Sequence, residues 1–401
     1  MDLQQRIRPA SMGIALAAAA VLAVSPSPAL ADAGVFDGSG QDLRQVSSEA
    51  VQLVSINVLI VPGRGPFLFD GTVPGMDRAE YSCEFVLKNL TGKPVEVQAG
   101  FPVDSEFARD RGPVSANDSK DWVLRYGFIA RDGETTYHVD FVRREPKSAP
   151  DEFSSLFVWK MKFDAGQTRT LDVQYRIPMA VALASTRKEE TGDFLHPDFA
   201  AMAGLDGGMF EAAGYVTSTG SSWAGTVEEA TFTLITEPFE RYLNQRGWED
   251  SAPVSRSPET AREAETQFPV HHPWWFRTIT PDGWEKVEGG VQWRYKDFKP
   301  KNPIGVSYFE TQFPRLPEEV APFVKRVRKA AGTAGEQQAK LAWVHQILLA
   351  TYGKEPEDAS ARSFAAGQLW YAPRKDFSMS DLSDAQKAVL KELDARIASA
   401  R

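Results

Sequence analysis

The chain has 401 residues, with 45 Lys plus Arg against 54 Asp plus Glu, a formal charge of −9 and a pI near 5.3. Its 42% hydrophobic, 11% aromatic and 25% charged residues are those of a folded globular protein, which excludes disordered, collagen-like and low-complexity readings. The acidic balance, with no Lys/Arg-rich stripe, repels phosphate backbones and anionic membrane surfaces, so nucleic acid is excluded as a partner.

At the amino end, Arg6 and Arg8 precede an uncharged run from Met12 to Val24. Ser25-Pro26-Ser27-Pro28 then leads to Ala29-Leu30-Ala31, a small-x-small cleavage pattern. Residues 1–31 therefore read as a secretory signal peptide. The run is shorter than the roughly 18 apolar residues that span a bilayer, and no comparable stretch follows, so the mature chain is expected to lack a transmembrane segment. Cys83 is the only cysteine, which leaves no lipid attachment site at the cleavage point and forbids an intrachain disulfide. Export without disulfides fits a bacterial periplasm or exterior, with stability supplied by the core. The sequons Asn89-Leu90-Thr91 and Asn117-Asp118-Ser119 read as chance matches in that setting.

From Val51 to about Phe313 the apolar pattern has mostly period two, the signature of strands. Val54, Ile56, Val58 and Ile60 alternate, then Tyr81, Cys83, Phe85 and Leu87. The turn residues 89–94 lead into Val95, Val97 and Ala99, which predicts a hairpin. Phe157, Trp159, Met161 and Phe163 pass through Asp164-Ala165-Gly166 into Leu171, Val173, Tyr175 and Ile177. Shorter strands follow at Ala230 to Leu234, Val291 to Tyr295 and Ile304 to Tyr308. Many strands without regularly interleaved helices indicate a mainly β fold, an antiparallel β-sandwich of one or two sheet pairs over residues 32–316. Residues 180–213 and 244–267 interrupt the pattern and read as surface insertions.

From Pro317 to residue 401 the period becomes helical, which predicts a small C-terminal α-helical domain and a boundary near 315–320. Pro317-Glu318-Glu319 starts one helix. Leu341, Val344 and Leu348 form the stripe of a second, from about Gln337 to Tyr352, which Gly353 can cap. Ser383 with Gln386 makes a capping box for a third, whose stripe is Val389, Leu393 and Ile397.

Within this segment Leu349-Ala350-Thr351-Tyr352-Gly353 keeps the Ala and Gly of a known signature, and Trp370-Tyr371-Ala372-Pro373 fits a Trp-Tyr-x-Pro motif. Phe377, Leu382 and the last helix follow at matching intervals, and together residues 335–398 resemble the YARHG domain of bacterial exported proteins. The preceding region resembles an uncharacterised β-rich exported family that accompanies this module, through Tyr81 to Pro102, Phe163 to Gln167 with Tyr175, Tyr215 to Val227, and Trp293 to Pro300. The resemblance implies an envelope location and this architecture. It implies no reaction and no catalytic residues.

No P-loop, dinucleotide fingerprint, Gly-x-Ser-x-Gly elbow or His-Glu-x-x-His occurs, so no cofactor and no catalytic residue is assigned. Cys83 alternates with Tyr81 and Phe85, the pattern of a buried core thiol rather than a nucleophile. His271 and His272 with His138, His196 or His345 lack metal-site spacing, because adjacent residues of an extended chain point to opposite sides, and no metal is expected. Aromatic residues crowd between Trp248 and Phe298. Most of these rings are expected in the core; Trp274 and Trp275 are consecutive, so either both pack between a sheet and an insertion loop or one is left outside beside Arg277 as a stacking surface, with Trp284, Trp370 and Tyr371 as further ligand-binding candidates. The expected function is a non-enzymatic exported binding module for peptidoglycan or an envelope protein. The alternatives are an envelope hydrolase, which needs convergent carboxylates or a His–Ser pair, and a structural assembly protein.

Overall fold

Period-two alternation becomes seventeen strands in the computed structural model, which describes residues 34–37, 44–45, 47–67, 76–102, 116–143, 155–184, 208–217, 220, 222–243, 275–299, 303–310, 313–314, 316–330 and 333–398. In chain order they are β1 (Gly34–Asp37), β2 (Arg44–Gln45), β3 (Val51–Phe67), β4 (Met76–Asn89), β5 (Val95–Pro102), β6 (Ile129–Asp132), β7 (Thr135–Thr136), β8 (Asp140–Arg143), β9 (Ser155–Phe163), β10 (Thr168–Pro178), β11 (Ala180–Ala184), β12 (Gly208–Tyr215), β13 (Val227–Ile235), β14 (Trp275–Thr280), β15 (Glu285–Val287), β16 (Gly290–Phe298) and β17 (Ile304–Glu310). They form, among the described residues, an eight-stranded sheet in the order β15-β16-β13-β3-β4-β10-β6-β7, a five-stranded sheet β2-β1-β5-β9-β8 and a four-stranded sheet β11-β12-β17-β14. Pairing is antiparallel except between β3 and β13, which are parallel and far apart in sequence.

One face of the large sheet carries Ile56, Val58, Ile60, Tyr81, Cys83, Phe85, Leu87 and Val173, all buried in one core with side chains of both smaller sheets. Phe101 of β5 meets Tyr175 of β10 at 4.7 Å between centroids, and Phe157 of β9 stacks on Phe128 at 4.2 Å. Along the same face Tyr215 of β12 meets Phe232 of β13 at 5.7 Å, and Tyr81 Oη donates to the Gly214 carbonyl at 2.9 Å. Cys83 lies inside this core, where alternation predicted it.

Three sequence expectations change. A register shift between Leu53 and Ser55 against β4 inserts a residue, so Val51 and Leu53 are buried before Ile56 resumes the pattern, and Val54 is only half-buried. The segments before and after residues 89–94 are not a hairpin: β4 pairs with β3 and β10, while β5 pairs with β1 and β9 in another sheet. The turn between β9 and β10 also changes sheets, so the two reversals are stacked corners of one bent ribbon. Finally, the 180–213 stretch is not wholly an insertion, because its ends form the β11–β12 pair. Residues 244–267 lie outside the described residues.

Asn89 joins the two corners. Its Nδ2 donates to the carbonyls of Lys93 and Asp164, each at 2.8 Å, and its Oδ1 accepts from the Thr91 amide at 2.9 Å and hydroxyl at 2.8 Å. Its backbone amide donates to Gln167 and that of Gly166 donates to Thr91, with Gly166 at φ +66° where a side chain would be strained. Asn89 is fully buried, so this sequon is a structural corner and not an acceptor site.

Among the described residues the longer helices are α1 (Ala116–Tyr126), α2 (Pro317–Ala330), α3 (Ala334–Thr351), α4 (Ala359–Ala366) and α5 (Asp384–Ala398), with helical residues also at 237–243 and a 3-10 turn at Met379–Asp381. The last three expected starts and stripes are present: Ser383 and Gln386 exchange their capping bonds, Gly353 takes φ +100° after α3, and Val389 and Leu393 are buried. Sequence reading missed α1 and α4, which are short; α1 offers only Trp122 and Tyr126 as large buried residues. Secondary structure changes at Pro317, but packing does not divide there. Ala212, Phe276, Phe309 and Phe313 share one core with Val320, Val324, Leu341, Val344 and Leu393.

Two outcomes follow from this packing. Asn89→Ala removes four hydrogen bonds at a buried position and is expected to lower unfolding free energy by about 2–4 kcal/mol in urea denaturation. A chain ending at residue 316 uncovers Phe276 and Phe309, and is expected to lose solubility and its cooperative thermal transition in calorimetry.

Candidate functional site

β14 is buried on both sides. Its successive residues point to opposite faces, as the sequence implied for consecutive tryptophans, but each face meets a core. Trp275, 6% exposed, and Ile279 belong to the large-sheet core, while Phe276 belongs to the core shared with the helices. The expected stacking surface is therefore not formed by Trp275 or by Arg277, which is 2% exposed. The reason is that Trp275 packs into the large-sheet core, Thr236, Glu240 and the end of α4 close over Arg277, and the terminal helices cover the opposite face at Phe276. Trp274 lies outside the described residues.

Arg277 instead closes a seam. Its Nη1 donates to Glu240 Oε1 at 2.8 Å and to Thr236 Oγ1, and its Nε donates to the Gly367 carbonyl at 2.7 Å, at the end of α4. β14 is an edge strand, and Gln368 serves as its missing neighbour: the Arg277 amide donates to Gln368 Oε1 at 3.0 Å, and Gln368 Nε2 donates to the Arg277 carbonyl at 2.8 Å. Tyr308 lies opposite Arg277 on β17, and Glu211 lies opposite Tyr308 on β12, all buried. Burial pushes the Glu240 carboxyl up despite the opposing Arg277 charge. Burial also raises the Tyr308 phenol well above its ordinary value, with Glu240 adding to it.

The other predicted aromatics gather at the same seam. Trp370 is half-buried with its ring 5.3 Å from Phe276, Tyr371 meets Trp370 edge-on at 6.2 Å, and half-buried Trp284 lies close enough to Gly367 that an added Cβ would sit 3.6 Å from its ring. Tyr295 and Phe298 stack at 4.9 Å against the main core. Among the described residues these aromatics pack against the two cores, with Trp284, Trp370 and Tyr371 half-buried at the seam. Of the histidines, His138 lies exposed beside Asp140 at 3.5 Å and His345 beside Asp394 at 3.2 Å; His196, His271 and His272 lie outside the described residues. Among the described residues no three metal-ligating side chains converge.

The concavity is elsewhere, on the solvent face of the large sheet. It is a depression of about 560 Å³ lined by Ser55, Asn57 and Leu59 of β3, Glu229, Thr231 and Thr233 of β13, and Gln292 and Arg294 of β16. Register sets the grid: Arg294 is opposite Thr231 and Thr231 opposite Asn57; Gln292 is opposite Thr233 and Thr233 opposite Leu59; Glu229 is opposite Ser55. Gln292 Nε2 donates to Thr233 Oγ1 at 2.7 Å, while its Oε1 is buried without a partner. Sequence reading missed these positions. They are the polar halves of the alternations from which the strands were read, and only the β3–β13 pairing brings them together.

No protein-family model matches the chain. No curated protein matches it either. Among solved structures it is similar to one from Legionella pneumophila described as a "putative nutrient binding protein", at 14% identity and TM-score 0.39 over 92% of this chain and 100% of that one. It is also similar to an M1 zinc metallopeptidase from Deinococcus radiodurans, at 8% identity and TM-score 0.26 over 66% of this chain and 43% of that one. Likenesses of this size carry no argument about function.

Arg277→Met leaves Glu240 buried without its cation and is expected to cost about 3–5 kcal/mol in chemical unfolding, with part recovered in Arg277→Met/Glu240→Leu. Glu240, raised in the folded state, contributes stability that is present below its unfolded pKa and lost as pH rises through the folded one. The unfolding free energy of Glu240→Gln relative to wild type is therefore expected to shift in the variant's favour as pH rises from about 4 to 8. Urea titrations across that range check the sign.

Proposed function

We propose that the protein is exported through its N-terminal segment and acts in the bacterial envelope as a binding protein, with its partner seated on the solvent face of the eight-stranded sheet. The depression over β3, β13 and β16 carries this reading: it is open, side-chain-lined, and furnished mainly with neutral hydrogen-bonding groups. Its single carboxylate is Glu229, whereas glycoside hydrolysis employs two, so the arrangement supports binding over the hydrolase alternative. We read the layering as two sandwiches sharing the large sheet. The terminal helices, YARHG-like in sequence, act as a brace for β14, and a peptidoglycan strand or an envelope protein is the partner class.

The test is co-sedimentation of the mature protein, residues 32–401, with insoluble peptidoglycan. Wild type is expected in the pellet at moderate salt, since an acidic chain does not adhere by charge alone. Thr231→Arg, which fills the depression, is expected to stay in the supernatant while keeping the wild-type thermal midpoint. Absence of wild-type protein from the pellet, or a Thr231→Arg variant that pellets equally, would overturn the assignment of wall binding to this face.

A further inference from the structure

The eight-stranded sheet has an open stretch along one edge. β15 stands beside β16 only at Gly290–Gln292, and the chain before Glu285 leaves the ladder at a turn whose Pro281 carbonyl accepts from Trp293 Nε1 at 2.9 Å. From Trp293 to Phe298, β16 has β13 on one side and, among the described residues, no strand on the other. Register shows which backbone groups this leaves unpaired. The two-residue turn Glu288–Gly289 closes the hairpin on Val287 and Gly290, so even-numbered residues of β16 direct their N–H and C=O toward the β15 side. Odd-numbered residues face β13, as the Gly289 carbonyl does in accepting from the Thr236 amide at 3.0 Å. Past Gln292 the outward groups are therefore those of Arg294 and Lys296. An edge of this kind is a template for another strand.

The same two residues decide which strand fits. Their side chains are exposed on the solvent face of the sheet. Lys296 lies opposite Glu229 on β13, and Arg294 pairs with Glu285 at 3.7 Å with both side chains largely in water, a weak pair that leaves the edge beyond β15 basic. A second copy paired antiparallel about Tyr295 would set Arg294 against Lys296, like charges directly opposed, which disfavours self-association here. A strand with carboxylates at the two opposed positions meets both cations instead. Its residue between them falls on the other face, beside half-buried Tyr295, which stacks on Phe298 at 4.9 Å and offers an apolar side chain cover.

We infer that the free edge of β16 at Arg294–Lys296 takes an extended acidic segment of a partner protein, with Asp or Glu at alternate positions around an apolar residue, added antiparallel where β15 ends. The inference goes beyond the depression and does not depend on what that depression holds. It is tested by fluorescence polarisation of the mature protein, residues 32–401, with labelled peptides at up to millimolar concentration. The peptides are Gly-Thr-Glu-Val-Glu-Thr-Gly, its counterpart with Lys in place of both Glu, and the acidic peptide N-methylated at both Glu amides. The acidic peptide is expected to bind, and the basic and methylated ones to bind at least about tenfold more weakly, the first through like charge and the second through lost ladder bonds. Arg294→Glu/Lys296→Glu, at exposed positions, is expected to keep the wild-type thermal midpoint and to exchange the preference, binding the basic peptide more tightly than the acidic one. The methylated peptide keeps the test independent of that variant's folding. No binding of the acidic peptide, equal binding of its basic or methylated counterpart, or an unchanged preference in the folded double variant would each overturn the inference.

Discussion

A guanidinium held away from water needs its hydration replaced, and at Nε and Nη1 of Arg277 the replacement comes from two separate parts of the chain. Thr236 and Glu240, just beyond β13, take Arg277 Nη1, and the carbonyl of Gly367 at the end of α4 takes Nε. That carbonyl is one of the orphans every helix end leaves, so the cation and the helix terminus satisfy each other. Gln368 meanwhile lends its amide to the open edge of β14. The position of the terminal helices, the burial of β14 on both faces and the sealing of the small sheet's edge all depend on this one residue being charged, buried and paired.

The same economy of buried polar groups explains the other end of the molecule. Two strands that bend from the large sheet into the five-stranded one would leave carbonyls without partners at the bend. Asn89 supplies both donors and both acceptors there, and Gly166 supplies the backbone conformation that the second corner needs. With the corners fixed, Phe101, Phe128, Phe157 and Tyr175 interlock between the sheets. The interior of the fold is therefore stapled by polar residues at its margins and filled by rings at its centre.

What these constraints leave uncovered is the outer face of the large sheet. Where β3, β13 and β16 lie side by side that face presents side chains, and β16 has β15 beside it only at Gly290–Gln292.

The sequence by itself determined eight of the strands, the core residues on them, and three of the four terminal helices, because side-chain period and capping chemistry are local: Ile56, Phe85, Val173 and Leu234 could be placed inside, and Ser383 at a helix start, from neighbours a few positions away. It also held the polar residues of the site, unrecognised, at alternate positions along the same strands. Which strands meet was decided only in three dimensions. The parallel pairing of β3 with β13, the sheet change at Asn89 and the cover of Phe276 by the helices join residues far apart in the chain, and no local periodicity carries that information. For the same reason Trp275 and Arg277 read as a surface in sequence and are core in the structure: exposure belongs to the partner that packs against a residue, not to the residue itself.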